Sequence, residues 1–364
     1  MSAITETETR PSTTPKFRNY PFVGSDMRRL IVVGLVTLFA TMSLAIYLGP
    51  FAYMSLTSLK TLDQVQNGRI LPSSEATYTY EGKEYDLLNV PLEDGSTAEW
   101  ALINKGRESS EFIDPANPEA GLITWEGRWR TLEPTWGTDF QWENYVEAWT
   151  AIEFPKLFFN TFAIAAFGVV GTVISCSLVA YGFARFPIPG KNIIFLVLIG
   201  TIVLPRQVTL IPTYFIFNRL GWVNTWLPLI VPHFFANAYN VFLLRQYFLS
   251  IPKELDEAAM IDGAGPFQIL LRVIIPQSWP VLIAVALFHT VYAWNDYFEP
   301  LIYLRGNADL WPISIGLQEF NFIYGTQPHL LQAASLMALA LPVLLFFLAQ
   351  RFFMQGVKIT GVEK

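Results

Sequence analysis

Apolar residues in this chain fall into long runs separated by polar segments. No charged residue lies between Arg29 and Lys60. A bilayer-spanning helix needs about 20 apolar residues, so a first crossing is expected near 30–56, bending at Gly49-Pro50. Leu157 to Ala184 is again uncharged and carries Gly168, Gly171, Ser175, Ser177, Ala180 and Gly182. Small residues of this kind let helices approach closely in lipid. Further crossings are expected from Asn192 to Phe215, broken by Pro205 and Pro212, from Trp226 to Phe248, from after Pro276 to Trp294, and from Leu330 to Phe353. The pattern predicts a polar, disordered tail over 1–28, a first transmembrane helix over 29–60, an insertion over 61–150 and a five-helix core over 151–364.

The insertion alternates like a small β unit. Thr77–Tyr80, the turn Glu81-Gly82-Lys83 and Tyr85 to Val90 read as a hairpin, and Asp94-Gly95 is a hairpin-type dipeptide. Leu122–Trp125, Glu126-Gly127 and Arg128–Arg130 read as another. The segment is long enough to bury a modest core. It serves either as a docking surface for a partner or as a spacer between the first two crossings.

Charge sharpens the picture. Residues 60–156 hold 8 Lys/Arg and 18 Asp/Glu, a net of −10 in a chain of net charge −6. Arg10, Lys16, Arg18, Arg28 and Arg29 precede the first crossing, Arg185 and Lys191 separate the second and third, Lys253 and Arg272 the fourth and fifth, and Arg351 and Lys358 follow the sixth. All fall on one face, which the positive-inside rule makes cytoplasmic. Both termini are expected there, the acidic insertion outside, and the chain in the cell (inner) membrane. The chain is 52% hydrophobic and 15% charged, where soluble domains carry about 25% charged residues. Its 11 Trp, 15 Tyr and 29 Phe suit aromatic belts at bilayer interfaces. The first apolar run is too long for a cleaved signal peptide.

Little catalytic or metal chemistry is visible. Cys176 is the single cysteine and lies in an apolar run. Gly263–Gln268 lacks the third glycine and preceding strand of a dinucleotide loop, and Gly190-Lys191 is not part of a phosphate-binding loop. The chain is therefore not expected to bind ATP itself. His233, His289 and His329 have no partner at ligand spacing, so no metal is expected. A membrane glycan enzyme using Asp114 or Asp139 would need a carboxylate spacing that is not there.

The polar stretch between the fourth and fifth crossings carries the functional signal. Pro252 suits a first helical turn, and Glu254, Asp256 and Glu257 suit its dipole. Leu255, Ala258 and Ala259 share one small apolar face. Gly263 and Gly265 allow the chain to reverse, and Pro266 starts a second short helix. Glu257-Ala258-Ala259, three residues, Gly263, nine residues and Val273-Ile274-Ile275-Pro276 resemble the EAA loop of ABC importer permeases. Asp262-Gly263-Ala264 and Pro280 resemble its fuller form in sugar permeases. Thr57–Lys60, Phe159-Asn160-Thr161, Trp294–Phe298, Pro300–Ile302 and the tail Gln355–Lys358 are similar to the same carbohydrate-uptake branch.

The resemblance implies an all-α polytopic membrane protein, six transmembrane helices in the type I ABC importer permease fold, with a small β-containing extracytoplasmic insertion. It implies a non-catalytic subunit that pairs with a second permease. Two ATPase subunits bind the ATP and Mg²⁺, so no cofactor belongs to this chain. An extracytoplasmic solute-binding protein delivers a sugar or oligosaccharide; peptides, polyamines and anions are the alternative cargo. Nucleic acid is not a partner. The loop at 250–276 would couple ATPase closure to alternating access. Glu257 would be its charged contact, Ala258 and Ala259 the packed contacts and Gly263 the hinge, with Asp262, Ala264 and Pro276 completing the motif. Spans flanking the loop line the pathway in such proteins, which makes Asn237, Tyr239, Asn240, His289, Tyr292, Trp294 and Asn295 candidate cargo contacts. Trp311, Gln318 and Tyr324 would face the binding protein.

Overall fold

The computed structural model describes residues 22–92, 95–322 and 325–356. The tail through Arg18, Asp94, Tyr324 and Val357-Lys358 lie outside the described residues. The chain divides into two units between Tyr53 and Met54. The first is most of helix α1 (Phe22–Thr57), which is apolar and exposed along almost all of 27–53, its last turn at Met54–Thr57 being partly or fully buried. The helix runs unbroken through Gly49-Pro50. Residues 22–28 belong to this helix, so the expected tail is shorter than its polar composition indicated.

The second unit opens with α2 (Leu62–Gln66), whose Thr61 and Gln64 side chains each bond the other's backbone N–H, at 3.3 and 3.2 Å. Then come β1 (Ser73–Glu75), β2 (Thr77–Tyr80), β3 (Lys83–Pro91), β4 (Thr97–Asn104), β5 (Ser109–Ile113), β6 (Ile123–Glu126), β7 (Glu133–Pro134) and β8 (Trp136–Thr138). The main sheet is antiparallel in the order β2-β3-β4-β5-β6, with β7 beside β3; β1 pairs with β8. Glu81 and Gly82 both have positive φ, the two-residue turn that matches strand twist. Leu88, Val90, Leu102 and Phe112 fill the core beneath Trp100, Trp125 and Trp129. The hairpin expected at Glu126-Gly127 does not form. β6 already has β5 as its partner, Trp129–Thr131 makes a 3-10 turn, and the chain goes on to β7.

The helical core comprises α3 (Glu143–Ala151), α4 (Phe154–Arg185), α5 (Lys191–Gly200), α6 (Arg206–Arg219), α7 (Leu227–Ile230), α8 (Ala238–Ser250), α9 (Glu254–Ile261), α10 (Pro266–Ile269), α11 (Ile275–Gln277), α12 (Trp279–Asn295), α13 (Phe298–Tyr303) and α14 (Ile313–Gly316). A short pair, β9 (Asn321–Phe322) and β10 (Gly325–Thr326), precedes α15 (Pro328–Gly356). Among the described residues four helical segments are long and apolar enough to cross a membrane, and six if each of two bent pairs is one span. α5 and its 3-10 extension meet α6 at 99° at Pro205, while Pro212 sits inside α6 without breaking it. The fourth crossing is α7, a 3-10 turn over Val231–Phe234, and α8.

Helix α4 is the axis. Its 32 residues make it about 48 Å long at 1.5 Å per residue. Cys176, Ala180, Tyr181 and Ala184 pack on Val241, Leu244 and Phe248 of α8 and on Val281 and Val285 of α12. At its first turns Lys156 pairs with Asp309, Asn160 Nδ2 donates to the carbonyls of Asp309 and Trp311, each at 2.9 Å, and Thr161 Oγ1 accepts from the Ile313 N–H at 2.8 Å. The hydrogen bond from Lys156, and then its charge, holds the Asp309 carboxyl below the ordinary range. Asn144 of α3 ties the insertion to the same end by donating to the carbonyls of Ser58 and Lys60. The insertion and the 309–313 segment therefore gather at one end of α4, and Arg185 meets the α9 segment at the other.

Candidate functional site

The predicted coupling segment folds as a helix, a turn and a second helix. Helix α9 begins after Pro252, with Glu254, Asp256 and Glu257 in its first turn. It stops at Gly263, whose φ of +81° is open to glycine without strain. The Gly263 N–H reaches the Met260 carbonyl at 3.0 Å and the Ala264 N–H reaches that of Ala259 at 2.9 Å. This pair of bonds is a Schellman stop, which places Gly263 in a left-handed turn. The Gln268 side chain then accepts from the Gly265 N–H at 3.0 Å and starts α10.

The side chains divide into two faces. Glu257, Ala258, Asp262 and Gly263 are exposed, with Leu255, Met260 and Ile261 beside them. Ala259 and Ala264 turn inward against the core, so Leu255, Ala258 and Ala259 do not form one outward face. Pro276 is exposed on α11, beyond a π-helical segment over Leu270–Ile274, and the chain bends by 82° into α12. The anchor of the segment is Asp256, absent from the expected set. Its Oδ2 lies 2.6 Å from Arg185 Nε, with side chains 6% and 7% exposed. Nothing in the acidic run singles out Asp256. The available signal was Arg185, the charge that ends the uncharged run of α4. A cleft of about 460 Å³ lies alongside, lined by Tyr181, Arg185, Lys253, Asp256, Glu257 and Pro266.

A second cluster sits at mid-height on α4. His289 of α12 is buried, its Nδ1 3.2 Å from Thr172 Oγ1. The His233 ring stands 4.4 Å from it, centroid to centroid, and Tyr292 completes the group at 5.9 Å from His289. Ser175 Oγ donates to the His233 carbonyl at 3.1 Å. Gly168 and Gly171 make this contact possible: a Cβ on Gly168 would run into His289 Nε2, and one on Gly171 into the Phe234 ring. The residues at 168, 171, 172 and 175 recur at helical spacing, so one small polar face of α4 receives both histidines. Beside His233 opens a cavity of about 350 Å³ lined by Thr209, Thr213, Asp296, Glu299 and Tyr303 among others.

The seven predicted pathway residues separate. His289 and Tyr292 meet in this cluster. Asn237 caps α8, accepting from the Asn240 N–H at 3.0 Å and facing Cys176 Sγ, while Asn240 is buried. Tyr239 is exposed with its ring edge on Phe288, and Asn295 donates to its own helix at Val291. Trp294 is placed in the core. Its Nε1–H donates to the Ala338 carbonyl at 3.1 Å, and Phe158 meets its ring edge-on. Sequence reasoning missed Thr209, Thr213, Asp296, Glu299 and Tyr303, because they lie where apolar runs are broken. Trp311 donates to the Leu304 carbonyl and is partly buried; Tyr324 lies outside the described residues.

The pattern of a family described as the binding-protein-dependent transport system inner membrane component matches residues 177–359. The osmoprotective compounds uptake permease protein GgtD of Synechocystis sp. is 31% identical over 268 residues, 72% of this chain and 88% of that one. The arabinooligosaccharides transport system permease protein AraQ of Halalkalibacterium halodurans is 34% identical over 206 residues, 57% of this chain and 73% of its own. A solved chain of a bacterial ABC transporter involved in the import of the acidic polysaccharide alginate superposes with a TM-score of 0.63 at 20% identity, covering 92% of this chain and all of that one. The fold is shared.

Proposed function

This chain belongs to the inner membrane components of binding-protein-dependent transport systems, and we propose that the importer it serves carries a sugar or oligosaccharide. It is a permease, a membrane-spanning transport subunit without catalytic chemistry of its own. The observation that carries the finer reading is the α9 segment, a short exposed helix held at the far end of α4 from the insertion. An ATPase subunit grips this helix on the cytoplasmic side, with Glu257, Ala258, Asp262 and Gly263 on the contact face. ATP and Mg²⁺ are bound by the two ATPase subunits. A second permease pairs with this one, and a solute-binding protein docks on the face bearing the insertion. Both termini are cytoplasmic.

Cargo passes the His233–His289–Tyr292 layer and the cavity beside it. Hydroxyls, imidazole and carboxylates there match the donors and acceptors of a polyol, and about 350 Å³ is within the range of small-ligand sites. The two relatives, named for arabinooligosaccharides and for osmoprotective compounds, define the panel to test. The solute-binding protein that serves this importer is purified and its thermal stability measured against mono- and oligosaccharides, betaine, amino acids and polyamines. Stabilisation by sugars alone is expected. Stabilisation by betaine or polyamines without sugars rejects the carbohydrate reading. Uptake that survives Glu257→Lys and Gly263→Pro together rejects the coupling role.

A further inference from the structure

We infer that α4 is the element that the coupling helix drives, and that Arg185, Asp256 and Tyr181 form the grip between them. The inference rests on the coupling role proposed above. Tyr181 and Arg185 lie one turn apart on α4 and share a face. Tyr181 Oη donates to the Pro266 carbonyl at 3.1 Å, and Arg185 Nη2 to the Ile251 carbonyl at 2.9 Å. Those carbonyls bracket α9, one before it and one after it. Between them the Arg185–Asp256 pair closes at 2.6 Å with both side chains more than nine-tenths buried. A buried pair resists separation, because each partner would be left as an uncompensated charge. By contrast, the covalent path from α9 to α12 runs through a turn, the π-helical segment and the 82° corner, and each break in the helical ladder lets the chain yield.

Above the grip, α4 reaches Thr172, Gly171 and Gly168 within about 20–25 Å of Arg185 at 1.5 Å per residue. These are the residues against which His289 and His233 rest. At the far end Asn160 and Thr161 seat α4 on the 309–313 segment. A rod seated at one end and pushed at the other swings at its middle. The stroke therefore arrives at the histidine layer through α4 itself. Arg185 and Asp256 are positioning residues, which touch neither cargo nor nucleotide.

The test uses the full importer, with both permeases, the ATPases and the binding protein, reconstituted in proteoliposomes. Transport per ATP hydrolysed is measured for Arg185→Asp, Asp256→Arg and the double exchange. Each single reversal is expected to lower that ratio about tenfold in complexes that still assemble, and the double exchange to restore it to within about threefold, as a direct pair requires. A purely structural pair would lower the yield of complex and leave the ratio unchanged, which overturns the inference. Tyr181→Phe, which keeps every charge, is expected to lower the ratio by a smaller factor.

Should the reversals block assembly, spin labels in a Cys176→Ala background decide. Glu254→Cys is paired with the exposed Leu178→Cys on α4 or the exposed Leu344→Cys on α15. The 254–178 separation is expected to be the same with and without ATP, while 254–344 changes. A 254–178 change as large as that of 254–344 overturns the grip and leaves the coupling role standing. No change in either pair overturns both.

Discussion

Gly168→Ala should destabilise the helical core although it replaces the poorest helix former after proline with the best. On helix propensity alone the change gains about 1 kcal/mol. Against that, the added methyl would overlap His289 Nε2. The imidazole has nowhere to go: it is 4% exposed, its Nδ1 is 3.2 Å from Thr172 Oγ1, and the His233 ring packs 4.4 Å away. Overpacking a tight core costs about 1–3 kcal/mol, and losing the Thr172 hydrogen bond about 0.5–1.5 kcal/mol. Set against the propensity gain, the net loss is about 0.5–3.5 kcal/mol. Gly182→Ala is the internal control, because a Cβ there meets nothing within 4 Å on the same helix. Unfolding midpoints of the purified chain in mixed micelles should fall for the first variant and hold or rise for the second. The Gly168→Ala deficit should also vanish in a His289→Ala background. Equal stability of the two alanine variants would refute the packing of α4 against His289.

Gly263→Ala places a Cβ in open space but at φ +81°, so its cost is backbone strain of about 1–2 kcal/mol. Uptake should fall with little change in global unfolding, and Gly263→Asn should be milder. Trp294→Ala removes a buried ring and its hydrogen bond to Ala338 and should cost about 3–5 kcal/mol. Competition assays should show unchanged cargo preference in whatever complex assembles, since the ring packs and does not select. The Asp309 carboxyl is held below its ordinary value by Lys156. Its contribution is therefore present above the ordinary aspartate range and lost as the pH falls through the lowered value. Lys156→Ala should lower stability at neutral pH and make no difference once the carboxyl is protonated in both variants, and salt should shrink the neutral-pH difference. A difference that grows on acidification would contradict the sign.

The crossings and the β insertion were legible because each obeys one dominant rule. An uncharged run as long as 157–184 has few fates other than a buried or lipid-facing helix, and α4 begins and ends within three residues of that run. Glu81-Gly82 announced its turn because only a few residues adopt positive φ cheaply. The Glu126-Gly127 hairpin failed for a non-local reason. Turn chemistry says that a chain can reverse, not whether the strand before it already has a partner, and β5 had taken that place.

The site was legible only where its chemistry is local. Spacing exposed the α9 turn because Gly263, the acids and Pro266 all act within a few residues of themselves. Asp256 and Arg185 are 71 positions apart, and their pairing exists only once α4 has reached its full length. The cavity follows the same logic. Within a bilayer irregular backbone is tolerated where protein covers it or where it lines a cavity, so the broken crossings are where polar groups can gather. The 3-10 turn carrying His233, the break at Pro205 before Thr209 and Thr213, and the end of α12 at Asp296 converge on one space. Pro205, which reads as an interruption of a span, sits at the break beside this cavity, and Pro232 lines it. The smooth run of α12 shows both outcomes: His289 and Tyr292 join the cluster on α4, while Trp294, one turn and more beyond His289, is buried against α15.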